Sequence, residues 1–452
     1  MLFGKAFQDD DQREISCVKH ALSASGTPYS EKTKKANSQR VPEKQTYPLS
    51  YKTFTPQFLL HSAPVQRIHE TVRDKSTKKT SINMIDFIPV SEYAHYFDVT
   101  VLCMVLTAVW QCHTGSVLKK ETVSLNAMWG VLFTLILILY MGLRPVSVYF
   151  GDTVNYAKGF YTAANSRDPF SWQWEGEWLF YNLMQWFARY SDIHTFFLLC
   201  ATVYIGSLWL AMQRIFKGYY YIPFLVILSM FTFWSYGVNG IRNGMGASLF
   251  ILAMTYVNRP PVMIGLCVLA AGIHKSIYLM VGAGTLTWFI KNSYWYLAGW
   301  MACVGVSYAI GGRIQAYLAA TNLMGGDDRF SGYLTGDNMV GEIVQMSMTF
   351  RWDFLLYSAM GVAVGYYFIF RRNFKDEYYH WIYNTFLVTN AFWVLVIRAA
   401  YSNRFAQISW FIMPVVLIYP FMKERFWVNH EKMLGYALLT FYAFTFYFNI
   451  WK

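Results

Sequence analysis

Arg242, His274 and Lys275 stand inside a membrane-grade apolar stretch, Asn239 to Tyr278. A charge at membrane depth costs about 2.5–3.5 kcal/mol on insertion scales, so such residues usually face a watered cavity or a partner. A guanidinium presents donors in a fixed fork and suits a phosphate or pyrophosphate. An imidazole accepts a proton from a hydroxyl near neutral pH, and a neighbouring ammonium disfavours a second positive charge on it. On a helix beginning near Gly237, Asn239, Arg242, Asn243 and Gly246 fall at i, i+3, i+4 and i+7, one polar stripe able to line a hollow. Gly240, Gly244 and Ser248 form an adjoining small-residue stripe that lets a second helix approach. The plainer alternatives are an Arg that snorkels to the interface and a histidine bonded to a helix-end carbonyl.

A second group lies outside that stretch. Arg398 and Arg404 bracket a short turn and can complete a cationic cluster, or anchor two helix ends; Gln407 follows Arg404 by three residues. Asp152 opens GDTVNYAKGFY as a helix cap or a binding residue. Glu175 and Glu177 sit among Trp172, Trp174 and Trp178, where they can bond sugar hydroxyls or act as a base; the indoles suit either a sugar face or the interfacial belt. Tyr333 closes the turn-rich piece GGDDRFSGY in a long loop, 313–353, and is a further substrate-binding candidate. The sequence has no Gly-rich nucleotide loop, no His-Glu-x-x-His and no paired cysteine ligands, so neither ATP hydrolysis nor zinc proteolysis is supported, and no metal or cofactor is expected.

The elements that must hold these residues are helices in a bilayer. Of 452 residues 55% are hydrophobic and only 14% charged, which excludes a soluble enzyme. The fold class expected is all-α, a polytopic helical bundle of about 10–12 spans with re-entrant or broken helices. Apolar runs cover about 97–113, 126–145, 193–213, 219–236, 239–257, 262–290, 294–312, 354–371, 379–398, 404–422 and 433–450. Trp178 to Tyr190 is too short to cross straight, and is read as re-entrant or interfacial.

Much of the net charge of +12 lies in residues 1–83, where 14 Lys and Arg meet 8 acids in a tail of disordered composition. The remaining basic residues fall after alternate spans, which places loops 146–177, 313–353 and 399–403 outside and argues against nucleic acid as a partner. The 262–290 run must then enter and return, broken near Gly272 to Lys275. The same alternation puts the N-terminus outside, unfavourable for a basic tail without a signal, so Met84 is the expected start and 84–452 the transmembrane domain. Five of the six cysteines lie in apolar segments and read as small core residues.

The segments GDTVNY, EGEWLFYNLMQWF, NGIRNGMGASLFILAM, LAAGIHKSIYLM, RFSGYL and YSNRFAQ together resemble the EpsG-type exopolysaccharide polymerase family, which is Wzy-like, over roughly residues 97–450. Asn243 stands where that pattern has Gln after the Arg. The resemblance implies a polymerase that joins oligosaccharide units carried on undecaprenyl diphosphate, for exopolysaccharide or capsule, at the outer face of the bacterial inner membrane. It implies no metal, inversion at the anomeric centre, and Arg residues on the donor diphosphate. Carried onto this sequence, Arg242 and Arg404 bind diphosphate, His274 orients or deprotonates the acceptor hydroxyl, Lys275 balances charge on the leaving group, and Asp152 and Glu177 match acidic positions of unassigned role. The partners expected are the lipid-linked substrate, membrane lipids, and chain-length and export proteins. A flippase or transporter of the lipid-linked unit, or a ligase or single-addition glycosyltransferase, also needs a cationic cavity.

Overall fold

The computed structural model describes residues 88–320, 349–399 and 402–450. The expected tail, most of the 313–353 loop and Tyr333 lie outside the described residues.

Every regular element among the described residues is helical, so the chain is an all-α polytopic membrane protein, as expected. In lipid no water is at hand to bond backbone N–H and C=O groups, and a helix satisfies them within itself. Among the described residues six stretches are long and apolar enough to cross a membrane: Val90–His113, Lys120–Gly142, Ile193–Tyr219, Ser293–Leu318, Trp352–Arg371 and Ser402–Lys423. At 1.5 Å per residue each spans about 30 Å or more.

Helix α1 (Tyr93–His113) and α2 (Lys120–Gly142) form the first hairpin, closed by reciprocal amide bonds between buried Gln111 and Asn126 of 3.1 and 2.8 Å. Apolar side chains on α2 such as Trp129, Leu132, Leu135 and Leu139 point outward, as a lipid-facing surface requires. At its far end Gly142 lies so close to the next long helix that an added Cβ would meet the Leu198 Cα at 2.7 Å. Two short helices follow, α3 (Thr153–Ala164) and α4 (Trp178–Tyr190), the latter with the bounds of the aromatic run. Next come α5 (Ile193–Phe216), α6 (Tyr221–Leu228), α7 (Phe233–Val238) and α8 (Ile241–Met254).

The apolar run expected over 262–290 is two half-helices, α9 (Pro260–Ile273) and α10 (Ile277–Phe289), broken at His274–Ser276. They are 14 and 13 residues long, about 20 Å each and too short to cross alone. The runs 219–236 and 404–422 are also interrupted, between α6 and α7 and near Phe411, which the uniform hydropathy of the sequence conceals. Beyond α11 (Ser293–Ala320, kinked at Ile310) and α12 (Trp352–Tyr366) lies the central helix α13 (Glu377–Leu395). Its buried Asn390 accepts from Trp300 Nε1 at 2.8 Å and donates to Ser358 Oγ at 3.0 Å and Ser409 Oγ at 2.8 Å, joining α11, α12 and α14 (Ser402–Trp410). Apolar surface gives little drive for helix association in lipid, so bonds of this kind carry specificity. Helices α15 (Met413–Lys423) and α16 (His430–Ile450) complete the bundle, α16 packing along α1.

Candidate active site

Local breaks in the helices place the polar residues. Gly151 takes a positive φ of 58°, and a Cβ there would fall 2.4 Å from Asn239 Oδ1. That turn donates the Asp152 N–H to Asn239 Oδ1 at 2.8 Å, while Thr153 Oγ1 donates to the Val238 carbonyl at 2.7 Å. Asn239 is therefore not on α8, as the helical stripe supposed, but in the turn between α7 and α8. Beneath both turns lies Arg144, 1% exposed, which donates to the carbonyls of Met141 and Val238 and to Thr153 Oγ1. Its guanidinium carbon stands 4.6 Å from the Phe197 ring centroid and 5.8 Å from that of Phe150. The sequence analysis did not single out Arg144, because only the fold reveals what covers it.

These breaks open into a cavity of about 510 Å³. Of the residues singled out in the sequence, Asp152, Glu177, Asn239, Arg242, Asn243, His274, Lys275 and Arg404 line it together, with Ser276 and Gln407. Arg398 does not: its guanidinium lies 5.4 Å from the Phe350 ring centroid and beside Gly311, because the end of α13 turns it toward α11. Gly246 is likewise a packing residue, against Ile277 and Ala270.

The lining residues are mostly those that open helices: Asp152 before α3, Glu177 before α4, Arg242 and Asn243 on α8, Ser276 before α10, and Asn403 and Arg404 on α14. Each helix start carries unsatisfied N–H groups and a partial positive charge, so five such ends add to three cationic side chains and outweigh two carboxylates.

At the centre Glu177, 8% exposed, bridges two partners. One oxygen pairs with Arg242 Nη1, and the other lies 3.5 Å from His274 Nε2. Arg242 Nη1 also donates to Tyr181 Oη at 2.9 Å; Tyr181 is one helical turn from Glu177, so both present on the same side of α4. The rings of Tyr156, Phe180 and Tyr181 surround the guanidinium at 5.7–5.8 Å, and its Nε–H is buried with no acceptor. Tyr156 and Tyr181 fall within the segments GDTVNY and EGEWLFYNLMQWF, but nothing in the sequence singled out either tyrosine itself.

His274 carries its own constraint. Its Nδ1 accepts the backbone N–H of Ser276 at 3.1 Å, with Ser276 Oγ 2.7 Å away. A backbone N–H can only donate, so in the neutral ring the proton sits on Nε2, facing the carboxylate. His274, open in the sequence between a base or orienting group for a hydroxyl and a helix-end histidine, thus has Nδ1 held by the helix break and Nε2 turned toward Glu177. Asn243 ties this break to α8, accepting from Ser276 Oγ at 3.2 Å and donating to Tyr236 Oη at 3.2 Å.

The class defined by this architecture is a multi-pass helical membrane protein whose broken helices surround a cationic cavity with an acid–base pair inside it. Residues 127–452 match the EpsG family, and the chain belongs to that family. Membership supports a polysaccharide polymerase-type role. No curated protein and no solved structure matches the chain.

Proposed function

We propose that the cavity catalyses glycosyl transfer from a polyprenyl-diphosphate-linked oligosaccharide, the undecaprenyl carrier of bacteria, to the end of a second glycan, without a metal, at the outer face of the inner membrane. The observation that carries this reading is the meeting of Arg242, Lys275 and Arg404 with the Glu177–His274 pair in one hollow walled by helix starts. The acceptor oxygen attacks the anomeric carbon on the face opposite the diphosphate. The C–O bond to the diphosphate breaks, the leaving group departs with the electron pair, and the hydroxyl proton passes to the Glu177–His274 pair. Arg404, Lys275 and the helix starts meet the charge that grows on the leaving diphosphate. A phosphate oxygen that reaches Arg242 competes with Glu177 for the fork, which frees the carboxylate to take the proton. Arg398, turned away from the cavity, has no part in this step.

The test is polymerisation of a defined lipid-diphosphate glycan by purified protein. Arg242→Ala is expected to lower kcat by about 10²–10³, the usual cost of one donor to a developing oxyanion, with the thermal melting point held near that of the native protein. The transporter reading draws on the paired half-helices α9 and α10. Lipid-linked units that accumulate on the inner face of His274→Ala cells would favour it; accumulation on the outer face supports polymerisation.

A further inference from the structure

Beside the mouth of the cavity, the polar segment between α3 and α4 carries an array of indoles that the reaction itself does not use. Trp172, Trp174 and Trp178 have ring centroids 5.1–5.9 Å apart and are inclined to one another by 48–57°, so they form a cup and not a flat stack. Trp174 is 72% exposed and Trp172 43%. Large apolar rings left together on a surface mark a place where something binds.

What distinguishes this array from an interfacial belt is that its backbone is fastened. Asn182, 1% exposed, accepts the Gln173 N–H at 3.0 Å and donates to the Gln173 carbonyl at 2.6 Å. Seven residues further along α4, Arg189 donates to the Asp168 carbonyl at 3.1 Å and lies 5.5 Å from the Phe170 ring centroid. An anchor in the headgroup region needs depth only; rings held at set mutual angles by a buried amide are prepared for a shaped ligand. The third ring is locked as well: a Cβ on Gly272 would fall 2.6 Å from the Trp178 indole, two residues before His274. Gly176, at φ 65°, then turns the chain from the cup straight to Glu177.

Resting on the glycosyl-transfer reading, we infer that Trp172, Trp174 and Trp178 form an acceptor subsite that stacks on the apolar faces of sugar rings and holds the growing glycan beside the Glu177–His274 pair. The C–H-bearing face of a pyranose lies on an indole, while exposed Glu175 is placed to accept from its hydroxyls. A cup of this kind retains an uncharged chain that the cationic cavity alone would not grip.

The probe is a mixture of oligosaccharides released by partial acid hydrolysis of the polysaccharide from cells that carry this protein, titrated calorimetrically into the purified full-length chain. Trp174→Ala and the double variant Trp172→Ala/Trp174→Ala are expected to weaken binding about fivefold to tenfold per indole removed, with Trp174→Phe keeping most of the affinity and cellular polymer shortened in step. Trp129→Ala, which removes an exposed indole from the lipid face of α2, serves as control and is expected to bind as the native protein does. Native affinity in the double variant overturns the subsite, as does an equal loss in the control. Oligosaccharide binding that depends on the indoles, in a protein that joins no lipid-linked units, would keep the cup and sink the polymerase reading. Polymerisation with unaltered affinity in the double variant would do the reverse.

Discussion

Glu177 holds the site together because one carboxylate serves two partners of different kinds. Its pairing with Arg242 and its approach to His274 make the three side chains a unit, so their substitutions are expected not to add. Glu177→Gln and His274→Ala should each lower kcat steeply, and the double variant should be no worse than the more damaging single one; a product of the two losses in single-turnover assays would separate their roles. The identities of Arg242, His274 and Lys275 were legible in the sequence, since a charge in a membrane span is conspicuous. The tautomer of His274 was not, because it depends on a backbone N–H two residues away that only the broken helix aims at the ring. The choice between the two roles open to Arg398 was not legible for the related reason that its direction is set by the turn ending α13.

At the scale of elements, hydropathy located apolar runs, and the alternation of basic residues, with Arg259 and Lys291 on one side, required the break near His274. Hydropathy could not show the breaks at Ser229–Thr232 and at Asn239–Gly240, where the residues are as apolar or as small as those of a continuous span. One helix long enough to cross uninterrupted, α5, is capped by ordinary means. Asp192 opens α5 by accepting the N–H groups of His194 and Thr195 at 2.8 and 3.0 Å. Partial burial works to raise its pKa, but these bonds and the Thr195 hydroxyl prevail and hold it below the ordinary value of 3.8. A depressed carboxylate stabilises the fold above its unfolded pKa and loses that contribution as pH falls through the folded one. Asp192→Ala is therefore expected to cost about 1 kcal/mol at pH 7, with the gap in melting temperature closing below about pH 4; a gap that persists in acid would show that the cap acts without its charge.

For the whole molecule, the helix directions separate two ends. Arg242 begins α8 at the cavity, and the same helix ends near Thr255, about 20 Å away, where Arg214 bonds the Thr255 hydroxyl at 2.8 Å. Lys423 reaches the Ile215 carbonyl at 3.0 Å at that end, so basic residues that follow spans gather away from the cavity. By the positive-inside rule we propose that the cavity faces outward. In a background without native cysteines, Asp168→Cys is expected to react with a membrane-impermeant maleimide added to intact cells, and Lys217→Cys only after the membrane is opened. The reverse pattern would invert the topology and remove the lipid-linked glycan of the outer leaflet as substrate.

Arg144 sets a condition on how the chain is made. Among the described residues its guanidinium is bonded by two carbonyls and a hydroxyl, and one of these, the Val238 carbonyl, belongs to a residue synthesised 94 positions later. When α2 leaves the ribosome that partner does not yet exist, and a buried guanidinium short of an acceptor is costly. Arg144 can therefore be sealed only once α7 has been made, and a chain truncated before Val238 is expected to leave this guanidinium short of one acceptor.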